Sequence, residues 1–174
     1  MTKWESFAQV AFYAMKGALP LWKDAKPDTV RAMTRILYDQ VFCSGDPNKS
    51  GYVSSAAMSA KRTNVKTCKD HCISPQFVAR MIYDNPDVWL SDLDTFKTLF
   101  YKCCATILVT SKENTKLSKL TTNRDGVLTV HVPTKDKYEH LGINLFHEDK
   151  GYVDDAFDDL VPEELIIYEQ KYIG

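Results

Sequence analysis

Two short stretches of the sequence, 66–71 and 106–114, concentrate side chains that can carry chemistry. The first ends in an adjacent carboxylate and imidazole, Asp70 and His71, and the second includes the amide of Asn114. Carboxylate and amide oxygens are hard ligands that suit Mg²⁺, and two such protein ligands leave positions open for phosphate oxygens. An imidazole can take a proton from water near neutral pH. These residue types therefore favour metal-assisted hydrolysis of a phosphodiester.

The elements that must position these side chains are also indicated by pattern. The basic segment 61–69 is predicted to become extended as it runs into Asp70. The apolar, β-branched run 105–110 has the length of a strand. Ser111 is predicted to cap a short helix over 112–120, which places an asparagine in the first helical turn.

With DH after a strand and a strand-to-helix junction of the form VT-x-x-EN, the segment 61–120 resembles the ββα-metal motif of HNH nucleases, which occur in phage and mobile-element proteins. The resemblance implies that His71 is the general base, and that Asp70 and Asn114 bind Mg²⁺ or another divalent cation. It also implies that the reaction is hydrolysis of DNA phosphodiester bonds. The chain between His71 and Asn114 must then hold two helices.

Basic side chains flank both stretches, and a phosphate backbone is expected to run along them. The predicted DNA-binding residues are Arg62, Lys66, Lys69, Lys112, Lys116 and Lys119. The last three have the spacing of one helix face. Solvated lysines with no partner are the alternative interpretation of this pattern.

Purely structural roles remain open for the central residues. Asp70 and His71 could form a turn pair, and Asn114 could satisfy the first turn of its helix. A zinc site is not expected, because the candidate ligands lack a second cleanly spaced pair and buried thiols are commonly inert. Those candidates are Cys68, His71, Cys72, Cys103 and Cys104.

The 174-residue chain is expected to form a single α+β domain, mainly helical, around the ββα-metal-like module. Its predicted parts are a helical segment over 1–50, a core over 51–147 and an acidic helical segment over 148–174. A capping box at Thr2-x-x-Glu5 predicts the first helix. Further helices are predicted from Pro27, from Ser74-Pro75 and from Ser91-x-x-Asp94, with a loop over 43–51 and short strands over 127–132 and 143–146.

Charge is divided unevenly along the chain. The net charge is −1, but 148–174 carries nine acidic and two basic residues, a net of −7, which leaves +6 on 1–147. Such a tail is typical of a solvated acidic surface, or it could shield the phosphate-binding face. An alternative function is therefore a non-catalytic phage-type protein that binds a host or virion protein through its acidic tail and aromatic surface.

Composition also indicates the cellular compartment in which the protein is expected to act. The longest apolar runs are too short for a transmembrane helix, so no membrane partner is expected. Five cysteines, an odd number, do not suggest a disulfide framework. We therefore expect a cytoplasmic protein, in the host cytoplasm if it is phage-encoded.

Overall fold

A computed structural model describes residues 1–37, 48–124, 127–152 and 160–174 of the protein, and helices make up most of its regular structure. The helices are α1 (Lys3–Ala18), α2 (Pro27–Leu37), α3 (Ser55–Thr63), α4 (Pro75–Asp84), α5 (Pro86–Trp89), α6 (Leu93–Cys103), α7 (Ser111–Leu117), α8 (Lys137–His140) and α9 (Glu163–Glu169). In the described ranges, none of these helices has the length and apolar character needed to cross a membrane.

The described residues form a five-stranded mixed sheet with strand order β2-β3-β1-β6-β7. Its strands are β1 (Lys49–Ser54), β2 (Thr67–His71), β3 (Thr106–Thr110), β6 (Leu145–His147) and β7 (Gly151–Tyr152). The central pair β1 and β3 is parallel, and the other neighbours are antiparallel. A separate hairpin joins β4 (Thr121–Arg124) and β5 (Val127–Val130). The predicted α+β, mainly helical fold class is therefore confirmed.

Local sequence signals account well for several elements. In α1, the backbone N–H of Glu5 donates to the Thr2 hydroxyl at 3.2 Å, and the Glu5 carboxylate accepts from the Thr2 backbone N–H at 2.6 Å. The predicted capping box is thus present. The helix predicted after Ser74-Pro75 is α4, and the strands predicted at the two chemically interesting stretches are β2 and β3.

Two predicted helix caps are wrong by one residue. Asp92, rather than Ser91, caps α6, because its carboxylate accepts from two backbone N–H groups at 2.9 and 3.0 Å. Thr110, rather than Ser111, caps α7, which ends at Leu117 instead of continuing to residue 120. An acidic side chain is favoured at a helix N-terminus because it also complements the positive end of the helix dipole.

Strand β1 was not predicted. The sequence favoured a loop over 43–51, of which 43–47 lie outside the described residues, yet Lys49 already pairs with β3. Gly51, which suggested a loop, has φ +81° at a register irregularity, and a Cβ there would lie 2.8 Å from Nε2 of His147. The glycine therefore permits the close approach of β6 to β1. The expected boundary between residues 50 and 51 falls inside this central strand.

The helices form an apolar core against β3. Phe12 of α1 packs edge-on against Phe96 of α6 with ring centroids 5.5 Å apart, and Phe96 stacks on Phe100 at 5.6 Å. Ile107 and Val109 of β3 are fully buried. The segment between β2 and β3 contributes α4, α5 and α6 to this core, whereas two helices were predicted there. The core therefore holds β3 rigidly, and β3 in turn holds β2 and α7.

Glu113 joins three elements close to the chemically interesting residues. Its Oε2 accepts from the backbone N–H and the hydroxyl of Thr110, at 2.7 and 2.9 Å, and from the hydroxyl of Ser54 at 2.8 Å. Thr110 ends β3, and Ser54 ends β1 and caps α3. One half-buried carboxylate thus fixes where α7 begins relative to the sheet.

We expect Glu113→Ala to lower the free energy of unfolding by about 1–3 kcal/mol, because it leaves a helix cap and a sheet hydroxyl without their shared acceptor. Urea denaturation followed by circular dichroism measures this change. Lys112→Ala, at an exposed position on the same helix, is the matched control and should have little effect. Equal effects of the two substitutions would contradict this role of Glu113.

Candidate active site

A polar cleft of about 360 Å³ opens where β2 ends. Asp70, His71 and Asn114, the three residues to which the sequence assigned catalysis and metal binding, all line it. Lys69 and Lys137 lie on its wall as well. The residues that line the cleft therefore include one with a carboxylate, one with an imidazole, one with an amide and two with ammonium groups.

Pairing of β2 with β3 places the first two of these residues. Asp70 lies opposite Ile107, and His71 lies opposite Thr106, at the last position of β2. Helix α7 begins beside the start of β2, where the Ser111 backbone N–H donates to the Lys66 backbone oxygen at 3.0 Å, and Asn114 in its first turn lines the same cleft. Strands β2 and β3 pair antiparallel and α7 follows β3, with α4, α5 and α6 between the two strands.

Asp70 is held by two side chains of α8. Its Oδ2 accepts from the Lys137 ammonium at 2.8 Å and from the hydroxyl of Tyr138. The side chains of this ion pair are 12% exposed for Asp70 and 11% for Lys137. The same ammonium donates to the backbone oxygen of His71 at 2.8 Å and lies 4.8 Å from the Tyr138 ring centroid. Lys137 therefore contacts both residues of the DH pair, Asp70 through its carboxylate and His71 through its backbone oxygen.

Burial keeps the Tyr138 hydroxyl and the Cys72 thiol near Asp70 protonated. It raises the pKa of the Tyr138 hydroxyl well above its usual value, and the charge of Asp70 adds to this effect, so Tyr138 remains a hydrogen-bond donor. Burial also raises the pKa of Cys72 to about 12. The Cys72 thiol at the cleft wall is consequently protonated and a poor nucleophile.

Sequence reasoning missed Lys137 and Tyr138. They lie 67 and 68 positions after Asp70, on α8, in a segment that carries no recognised motif. Hydrophobic periodicity describes one element at a time, so it gives no sign of a contact between two distant elements. Locally, these two positions show only a lysine beside an aromatic residue, and this pattern is too common to indicate a functional site.

The C-terminal segment braces this part of the cleft. Glu169 is only 2% exposed, and its carboxylate accepts two bonds of 3.0 Å from the Thr134 backbone N–H and one of 2.5 Å from the Thr134 hydroxyl. Thr134 lines the cleft and lies on the turn just before α8. Burial is the main cause of a raised pKa at Glu169, against the lowering effect of the Thr134 hydrogen bonds.

Helix α9 therefore differs from the solvated acidic surface that its composition suggests. Glu163 and Glu164 are exposed, but Glu169 points into the protein. Tyr168 packs on Phe77 of α4 with ring centroids 5.2 Å apart, and its hydroxyl donates to Asp84. Residues 153–159 of the predicted acidic helical segment lie outside the described residues.

The six basic residues predicted to bind DNA are all exposed. Lys69 lines the cleft, while the others lie on neighbouring elements: Arg62 on α3, Lys66 just before β2, Lys112 and Lys116 on α7, and Lys119 in the turn that follows. Because α7 ends at Leu117, Lys119 does not continue the helical face of the other two. Their contact with DNA stays a prediction.

The cleft is lined by residues with oxygen, nitrogen and sulfur donor atoms, namely Asp70, Asn114, His71 and Cys72. Within the described ranges, no group of three or more His, Cys, Asp or Glu side chains is arranged around a common metal position. The described cysteines are free thiols, and burial raises the pKa of Cys103 to about 12.

Comparison with known proteins adds no relative to these observations, because no protein-family model, curated protein or solved structure matches the chain. The fold and the cleft define an α+β protein with a polar site at a sheet end. A buried ion pair, an imidazole and an amide at that site are the observations from which a function can be proposed.

The Asp70–Lys137 pair predicts strong coupling between two substitutions. We expect Asp70→Asn and Lys137→Met each to lower the free energy of unfolding by roughly 3 kcal/mol, since each leaves one buried charge without its partner. The double variant should lose clearly less than the sum of the two, because neither charge remains. Urea titrations of the four proteins measure this cycle.

Lys135 is exposed and lies on the turn just before α8. Lys135→Met therefore serves as the control and should change the free energy of unfolding by no more than about 0.5 kcal/mol. Additive losses for Asp70 and Lys137 would contradict a stabilising ion pair.

Glu169 predicts a dependence of stability on pH. Its pKa in the folded protein is raised above the ordinary value of 4.5, so the folded state retains a proton that the unfolded state releases. The contribution of this group is therefore complete below pH 4.5 and is lost as the pH rises through the folded pKa. We expect the stability of wild type minus that of Glu169→Gln to fall over this range.

Urea midpoints measured at intervals between about pH 4 and pH 7 test this expectation. Glu163→Gln, at an exposed position of α9, should show no such trend. A difference between wild type and Glu169→Gln that grows with pH would show that the sign is wrong.

Proposed function

We propose that this cleft hydrolyses DNA phosphodiester bonds and that the protein is a metal-dependent endonuclease. One observation supports this most directly: Asp70, His71 and Asn114, which are 44 positions apart at their extremes, line one cleft. The resemblance of the DH and EN motifs to HNH nucleases assigns to these same residues the general base and the two metal ligands.

The donor set suits Mg²⁺. Asp70 accepts the bonds of Lys137 and Tyr138 at Oδ2, which leaves its Oδ1 as the oxygen for a cation, and the Asn114 amide oxygen is the second donor. Two protein ligands are typical for Mg²⁺ bound together with phosphate. When bound, the metal would stabilise the charge that develops on the scissile phosphate and the leaving oxygen.

The remaining roles belong to side chains of the chain itself. The half-buried His71 imidazole would take a proton from the attacking water. The bond from Lys137 to the His71 backbone oxygen would fix where that imidazole stands. Lys69 at the cleft would contact a phosphate, and the exposed basic residues of α3 and α7 would hold the flanking backbone.

A nicking assay on supercoiled plasmid with Mg²⁺ tests the proposal. We expect His71→Ala to reduce the cleavage rate by about 10²- to 10⁴-fold, the usual contribution of a general base, with DNA affinity nearly unchanged. EDTA should abolish wild-type cleavage. His140→Ala, an exposed histidine on α8, is the matched control and should cleave as wild type does.

Cleavage that survives both EDTA and His71→Ala would exclude this mechanism. A wild-type protein that cleaves neither DNA nor RNA would instead favour the non-catalytic alternative, in which the protein binds a partner protein through its acidic C-terminal segment. A search for the surface that binds such a partner would begin with Glu163 and Glu164, which are exposed acidic residues of α9.

A further inference from the structure

The cleft already contains a cation where a metal ligand is proposed. The Lys137 ammonium lies 2.8 Å from Oδ2 of Asp70, and the two side chains are 11% and 12% exposed. We propose that the Lys137 ammonium, held at Oδ2 of Asp70, opposes the binding of a divalent cation at the same carboxylate by charge repulsion, so that the cation must compete with this ammonium for Asp70. This inference rests on the metal-binding role given to Asp70 under the proposed function.

The contacts of Lys137 support such competition. Its ammonium has three N–H groups, and two of them donate to Asp70 Oδ2 and to the His71 backbone oxygen. Paired in this way, Asp70 and Lys137 have no net charge, which leaves little attraction for a second cation. Without the ammonium, the buried carboxylate would carry an uncompensated negative charge in the cleft that Asn114 also lines.

Electrostatics gives the direction and the minimum size of the effect. A divalent cation on Asp70 would lie within about 5 Å of the ammonium, and their repulsion weakens binding about tenfold or more even at the dielectric constant of water. The flexible lysine side chain allows the ammonium to move away while α8 stays in place, because Glu169 holds the turn before α8 through Thr134. Lys137 would thus set how readily the metal enters the cleft.

Binding of Mn²⁺ alone, measured by electron paramagnetic resonance, tests this competition without any cleavage reaction. We expect Lys137→Met and Lys137→Gln to bind Mn²⁺ at least about tenfold more tightly than wild type. Lys137→Arg keeps the charge and should bind as weakly as wild type. The double variant Asp70→Asn with Lys137→Met should lose the gain, and Lys135→Met, an exposed neighbour, should match wild type.

Thermal unfolding provides a second readout. Mn²⁺ should raise the melting temperature of Lys137→Met more than that of wild type, because the metal replaces the missing partner of Asp70. A variant that stays unfolded at millimolar Mn²⁺ counts against the proposal, as does a folded one whose affinity for Mn²⁺ equals that of wild type. A gain that persists after Asp70→Asn would also overturn it.

The two proposals fail separately. Tighter Mn²⁺ binding by Lys137→Met in a protein that never cleaves nucleic acid would support the competition and refute the nuclease. Mg²⁺-dependent cleavage that needs His71, together with unchanged Mn²⁺ affinity in Lys137→Met and Lys137→Gln, would support the nuclease and refute the competition.

Discussion

The buried carboxylate of Asp70 is the constraint on which the cleft depends. A charge that is almost out of contact with water is costly unless it is paired and hydrogen-bonded. The protein meets this requirement with one ammonium and one phenol from α8, a helix of only four residues. The position of α8 against the end of β2 is therefore set by electrostatics as well as by packing.

A series of polar contacts extends this constraint to the C-terminus. Lys137 and Tyr138 hold Asp70, the turn before them contains Thr134, and Thr134 is held by the buried carboxylate of Glu169. Two buried acidic side chains thus lie at opposite ends of one polar network. The acidic C-terminal segment is, at this residue, part of the support of the cleft, although its composition alone suggests only a solvated surface.

The parts of the fold that could be predicted are those with local causes. The capping box at Thr2, the proline at the start of α4 and the β-branched run of β3 each determine their own element. That Asp70 and Asn114 line one cleft was predictable only through a family resemblance. Strand β1 was missed because a glycine such as Gly51 is typical of a loop, and its role in the close approach of β6 is visible only in the structure. Lys137 was missed because its partner, Asp70, lies far away in the sequence.

The assembly of the cleft from distant segments has a consequence for folding. Pairing of β2 with β3 closes a loop over 72–105, and the contact of Lys137 with Asp70 closes one of 67 positions. Loop closure of this length costs conformational entropy before any contact repays it, and non-local contacts slow folding. The cleft therefore forms only after chain segments up to 67 positions apart have come together. An incomplete chain that ends before α8 and α9 would contain both the DH motif and the EN motif. It would still lack the contacts from these two helices that complete the site.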